Sequence, residues 1–487
     1  MRVRSLTTAV LTAAGCVVLA VPALAVPPQQ APPLTTQHDP GHADPEHQDP
    51  GSEPWVAAWT TAPQGVYPLG YAVGQPGPVG EVVPGVEQPL LEHAFPDEQA
   101  QDQTMRMVVH PGIGGDEWRV ELSNRFGTQP VTFGRATAAL QQSGATVVPG
   151  TEQQLTFDGS PSVTLQPGEE VRSDAVPMEL SDADAQRSNV AVSLHVRGAS
   201  GPMTWHASSF TTSYVTDPGA GDHTGDLTDE AFPHPTTSWF YLTGLEVQRE
   251  DAGTVVALGD SITDGFFSTL NGNDRWPDVL QRRLLAEDDE EVVSVVNQGI
   301  AGNMVTRVGR LEGGCTPCDG PPAVDRLDED VLGQPGLRAV VLLEGINDLG
   351  GGGATAAEVI AGMAEIADRV HAAGIPIIGA TLTPSGGAED GLANYGTPET
   401  DAQRRAVNDF IRTSGRFDAV VDFAAATEDP ADPSRLLPAY DTNTSVGGPG
   451  DHLHPNRAGF LAMGHAFDLG ELEELVASTA PELREAG

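Results

Sequence analysis

Residues 255–263 read Val255-Val256-Ala257-Leu258-Gly259-Asp260-Ser261-Ile262-Thr263. Four apolar residues run directly into a glycine, an aspartate and a serine. Two of the four are valine, which favours a strand. An unbroken apolar run suits a strand covered on both faces, as in parallel sheets. The glycine permits a sharp turn at its end. The serine then stands where a helix starts, beside backbone N–H groups that no carbonyl has taken. A serine there can also be an ordinary helix N-cap, so the stretch by itself does not decide between a cap and a nucleophile.

The residues that follow extend this reading. Apolar strands are expected over Thr254–Leu258, Val292–Val296, Leu337–Leu343, Ile375–Leu382 and Ala419–Phe423. Helices are expected over Trp276–Ala286, Ala356–Ala373, Gln403–Thr413 and from Asn456 to about Phe467. In the long helix, Val359, Met363, Ile366 and Val370 fall on one face. Strands alternating with helices predict a parallel sheet with helices on both faces. Ligands of such sheets sit at the carboxyl ends of the strands.

Each of those ends carries a motif. The second strand runs into Asn297-Gln298-Gly299-Ile300-Ala301-Gly302-Asn303, whose glycines permit close backbone approach. The third ends in Glu344-Gly345-Ile346-Asn347-Asp348, where an asparagine amide can point a donor into a cleft. Before the last helix stands Gly450-Asp451-His452-Leu453-His454-Pro455-Asn456. Each has an ordinary reading as a turn or a structural histidine. Together they make a mechanism. A serine hydroxyl needs a base within hydrogen-bond reach, and His454 can supply it near neutral pH. Asp451, three residues away, can hold the imidazole. Ser261 N–H, Gly302 N–H and the Asn347 side chain are candidates for an oxyanion hole. His452 is the rival base. Asp260 and Asp348 are expected to hydrogen-bond the loops that shape the site.

In order and content, the four segments resemble the four blocks of the SGNH hydrolases, also called the GDSL lipase/esterase family. The resemblance covers about residues 250–470. It implies a three-layer α/β/α sandwich with a five-stranded parallel sheet, and ester hydrolysis without a cofactor or metal. It implies Ser261 as nucleophile, Asp451 and His454 as the rest of a triad, and Gly302 and Asn347 as oxyanion donors with Ser261. GDSIT stands in place of the name-giving GDSL, an apolar exchange. No G-x-S-x-G elbow of the classical α/β-hydrolases occurs.

Between Trp55 and about Arg249 the pattern is different. Thr104–Val109, Trp118–Leu122 and Val190–Val196 read as strands, separated by turn signals such as Gly114-Gly115-Asp116 and Pro167-Gly168. No helical period intervenes, which predicts an antiparallel β-sandwich, jelly-roll-like. The region resembles the β domain preceding the catalytic unit in secreted actinobacterial members of the family. Trp205 and His206 read as a packed core pair, with reach into a shared cleft as the alternative.

At the N-terminus, Arg2 and Arg4 precede an apolar run from Leu6 to Ala20, and Ala23-Leu24-Ala25 is a cleavage signal. Residues 1–25 are therefore expected to be a secretory signal peptide and the protein extracellular. Cys16 lies inside the apolar run, which argues against a lipidation site. Residues 26–52, rich in Pro, His and Asp, read as a disordered linker, and solvated histidines His38, His42 and His47 need no metal. The domains expected are thus 53–250 for the β-sandwich, 251–475 for the hydrolase and 476–487 for a tail. Beyond Cys16 only Cys315 and Cys318 remain, in a Gly- and Pro-rich loop. In a secreted chain they read as a disulfide.

The 487 residues contain no lysine and 25 arginines, for a formal net charge of −43. Such a surface repels nucleic acid and anionic membranes. The lack of lysine excludes a P-loop, and no later segment reads as a transmembrane anchor. The partner expected is an ester substrate, with acylated polysaccharide and lipid as competing classes. Secretion and the added β region favour carbohydrate, and the lack of a long apolar lid segment favours short acyl groups. A non-catalytic carbohydrate-binding protein is the alternative outside enzymes. The oligomeric state is not legible.

Overall fold

The computed structural model describes residues 54–65, 94–96, 99–287, 292–307, 320–388 and 394–479. The expected signal peptide, the linker, Cys315 and Cys318 all lie outside them.

Five strands form one parallel sheet in the spatial order Val292–Gly299, Ala252–Gly259, Leu337–Leu343, Ile377–Ala380, Ala419–Val421. The first strand in sequence therefore lies second in space, and the chain leaves it in both directions. That is the topological switch point of an open α/β sheet, where a crevice forms beyond the strand ends. Val255, Val256, Ala257 and Leu258 are all fully buried in the core. Truncating Leu258 to alanine there would cost about 2–5 kcal/mol.

The helices lie where their sequence signals put them, with shifts at the ends. The helix Pro398–Thr413 starts five residues before the expected Gln403, because Thr397 caps it and Pro398 fits its first turn. The expected final helix is Arg457–His465, with Asn456 as its cap. A further helix, Leu469–Ser478, starts at the Asp468 cap and crosses the expected boundary at 475.

The antiparallel region precedes this sheet. One of its sheets holds Trp55–Thr60, Leu242–Gln248, Gly115–Ser123 and Val176–Leu180; another centres on Gln101–Val109, Val190–Ala199 and Val131–Ser143. Trp118, Val120 and Leu245 from the first meet Met105, Met107, Phe133 and Leu194 from the second in one buried cluster. The expected two-sheet packing is thus present. No helix among the described residues is long and apolar enough to cross a membrane.

Candidate active site

The strand Ala252–Gly259 delivers its turn into a short helix, Ser261–Asp264. Asp260, not Ser261, is the N-cap: its carboxylate accepts from Ile262 N–H at 2.9 Å. Ser261 is the first helical residue, so its N–H has no intrahelical acceptor. An alanine at Gly259 would place its Cβ 2.1 Å from Thr263 Oγ1 and 2.6 Å from Leu343 O, so the turn requires glycine.

Ser261 Oγ lies 2.9 Å from His454 Nε2, and His454 Nδ1 lies 2.6 Å from Asp451 Oδ2. The three sequence-selected side chains are therefore joined in one hydrogen-bonded line. Asp451 Oδ1 accepts from Leu453 N–H at 3.0 Å, His454 N–H at 2.9 Å and the Thr442 hydroxyl at 2.5 Å. Burial alone would raise the Asp451 carboxyl, but the hydrogen bond and charge of His454 outweigh it and hold it far below the usual carboxylate range. His452 turns elsewhere. Its backbone is left-handed, at φ 62°, and its Nδ1 lies 2.6 Å from Asp441 Oδ2. It does not meet Ser261.

The Asn347 amide is fixed at both ends. Its oxygen accepts from the Tyr395 hydroxyl at 2.8 Å, and its nitrogen donates to Asn303 O at 2.9 Å. One amide proton is left over. Gly302 has φ 79°, which glycine adopts without strain. Its N–H, like that of Ser261, has no backbone acceptor among the described residues. Gly299 does something other than approach a reacting group: a Cβ there would sit 2.2 Å from Asp264 N, so this glycine packs the Ser261 helix against the second strand.

Beneath the site lies a charge cluster that the sequence did not announce. Arg326 is fully buried and donates to Gly259 O at 3.0 Å, Gln298 O at 2.7 Å and Asn303 Oδ1 at 3.0 Å. It thereby ties together the ends of the first two strands. Glu344 is also fully buried, and neither of its oxygens has a hydrogen bond; the Arg326 guanidinium is 3.7 Å away. Burial pushes the Glu344 carboxyl well above the usual range, with the charge of Asp260 adding to it. Burial likewise pushes Asp260 up to about 7 and Asp348 up to about 6. Asp348 accepts from Val305 N–H at 2.9 Å and Thr306 N–H at 3.0 Å, which pins the loop after Asn303. Phe266 and Phe267 wall one side of His454, with ring centroids 4.7 and 5.7 Å from the imidazole.

Trp205 and His206 are buried, as a core pair would be. His206 also reaches Asp264 in the Ser261 helix, at 3.0 Å. Among the described residues no three His, Cys, Asp or Glu side chains cluster as metal ligands would.

Residues 257–462 match the model of the GDSL-like Lipase/Acylhydrolase family. No curated protein matches the sequence. Similar solved structures include a GDSL-like lipase from Bacteroides thetaiotaomicron, with 18% identity over 45% of this chain and 88% of that one and a TM-score of 0.32. They also include LAE5, an alpha/beta hydrolase from the metagenome of Lake Arreo, with 22% identity over 46% of this chain and 96% of that one and a TM-score of 0.32. A third is Est24, a carbohydrate acetylesterase from Sinorhizobium meliloti, with 15% identity over 46% of this chain and 99% of that one and a TM-score of 0.32.

Proposed function

We propose that this serine ester hydrolase of the GDSL type is a secreted enzyme that cleaves short acyl esters, acetyl above all, from carbohydrate. The observation that carries the chemistry is the line Ser261 Oγ, His454 Nε2, His454 Nδ1, Asp451 Oδ2, closed at 2.9 and 2.6 Å. Ser261 Oγ attacks the ester carbonyl while His454 Nε2 takes its proton. Asp451 holds the resulting imidazolium. The tetrahedral oxyanion is met by Ser261 N–H, Gly302 N–H and the spare proton of the Asn347 amide; each such donor is worth about a hundredfold or more in rate. His454 returns the proton to the leaving alkoxide, leaving an acyl-serine. Water, deprotonated by His454, then releases the acid.

Secretion is supported by the signal-like segment Arg2 to Ala25. The short acyl chain is supported by the surface. Large apolar side chains are exposed only at Leu227, Leu270, Val420, Val446 and Leu461 among the described residues, and these come from separate segments. Among the described residues these exposed side chains therefore form no continuous apolar stretch of the kind that lays a segment onto a lipid surface. The Phe266–Phe267 wall beside His454 favours a second reading, an esterase for longer acyl chains.

Hydrolysis of aryl esters from acetate to palmitate, beside acetate release from acetylated xylan and pectin, separates the two. A maximum at acetate with release from polymer supports the proposal. A maximum at longer chains with no release from polymer overturns it in favour of the second reading.

A further inference from the structure

The antiparallel region sends one polar side chain into the floor of the site. His206 ends the strand Thr204–His206, which pairs with Trp239–Phe240 and, through Thr204 and Trp205, with Gln64–Gly65. Its side chain is 2% exposed. Nδ1 lies 2.9 Å from Ala62 O, within the antiparallel region, and Nε2 lies 3.0 Å from Asp264 Oδ1, across the boundary. Ala62 O can only accept, so Nδ1 donates to it, and Nε2 faces the Asp264 carboxyl.

Asp264 is the last residue of the Ser261 helix. Its second oxygen accepts from Ala301 N–H at 3.1 Å. Ala301 precedes Gly302. One carboxylate therefore joins the nucleophile's helix to the peptide next to the second oxyanion donor, and a histidine from the other region holds that carboxylate. If Asp264 swung away, Ala301 N–H would lose its acceptor and the 300–301 peptide its anchor, leaving the next peptide, which carries Gly302 N–H, held by the turn bond from Asn303 N–H to Ile300 O at 3.1 Å. Gly302 has no side chain to hold it otherwise.

We propose that His206 is a positioning residue for the oxyanion hole: through Asp264 and Ala301 it sets the direction of Gly302 N–H, so the antiparallel region is a working part of the catalytic centre. This rests on the role given to Gly302 above. The cost of losing the link is bounded by the cost of one oxyanion donor, about 10²–10³ in kcat. A donor that is misaimed rather than removed loses part of that, about 10- to 100-fold.

Two substitutions divide the ring's two contacts. In His206→Asn the amide nitrogen stands near Nδ1, reaching Ala62 O and not Asp264. In His206→Gln it stands near Nε2, reaching Asp264 and not Ala62 O. The measurements are kcat and KM for an aryl acetate, thermal midpoint, and deuterium exchange of the 300–304 backbone, with Ser261→Ala as the blank. H206N should lower kcat about 10- to 100-fold, leave KM within about threefold, and speed exchange at Ala301. H206Q should restore most of kcat and the slow exchange, although both variants lose thermal stability. Equal kcat in the two variants, with kcat following the thermal midpoint, would reduce His206 to a packing residue. So would an Ala301 exchange rate that neither variant alters. Wild-type turnover equal to that of Ser261→Ala would refute the esterase reading instead, and the exchange result would still decide whether His206 fixes the loop.

Discussion

Replacing Asp451 by asparagine exchanges one oxygen for an NH₂, and the surroundings dictate where the NH₂ goes. Oδ1 faces the backbone N–H groups of Leu453 and His454, which cannot turn away, as well as the Thr442 hydroxyl. Oδ2 faces only His454 Nδ1, at 2.6 Å. Setting the NH₂ against two fixed donors would forfeit two hydrogen bonds of about 1 kcal/mol each and leave both donors unpaired. The amide oxygen therefore stays at the Oδ1 position and the NH₂ points at Nδ1. Imidazole must then accept at Nδ1 and carry its proton on Nε2, aimed at Ser261 Oγ. That tautomer cannot take the serine proton. The wrong tautomer costs about 10⁴-fold in kcat, or about 5.5 kcal/mol of barrier. Steady-state hydrolysis of an aryl acetate reads this directly, with near-UV circular dichroism to show an intact fold. A D451N protein retaining more than about a tenth of wild-type kcat would refute the argument, since Asp451 would then not set the tautomer.

Other outcomes follow from the same geometry. His454→Ala should abolish turnover, whereas His452→Asn, which suits the left-handed backbone at φ 62° and removes only the contact to Asp441, should leave kcat within about threefold; the reverse pattern would move the base. Tyr395→Phe frees the Asn347 amide oxygen and should lower kcat about 3- to 10-fold, the worth of one neutral hydrogen bond, with KM little changed. Glu344 gives a pH test. Its carboxyl is raised in the folded chain, so the folded state binds the proton more tightly than the unfolded one, and stability falls as pH rises above about 4.5 toward the folded value. Glu344→Gln removes that slope. Its thermal midpoint relative to wild type should rise with pH above about 4.5; a difference that is flat or falls with pH would contradict a buried, protonated Glu344.

The strand ends were legible because each motif is local. Gly259-Asp260-Ser261 and Asp451-x-x-His454 sit within a turn of the elements that aim them, and their residue types announce the turn. The five parallel strands were legible for the same reason, as apolar runs a few residues long. Contacts made across the chain left no such trace. Arg326 meets Gly259 from 67 residues away, Tyr395 meets Asn347 from 48, and His206 meets Asp264 from 58. Each is a single side chain with no period around it. The strand Val131–Ser143 lies in the region read as β but was not singled out there. Its Ala136-Thr137-Ala138-Ala139-Leu140 segment carries three alanines, whose propensity is helical, and it is a strand because Val190–Ala199 pairs along it. Tertiary pairing overrides propensity there.

The central claim is that Ser261 carries the acyl group. Enzyme mixed with an aryl acetate, quenched in acid within the first turnovers and digested, should show one acetyl group on the peptide that contains Ser261 and none in Ser261→Ala. An acetyl group on any other residue, or steady turnover by Ser261→Ala with no adduct in the wild type, would contradict the account.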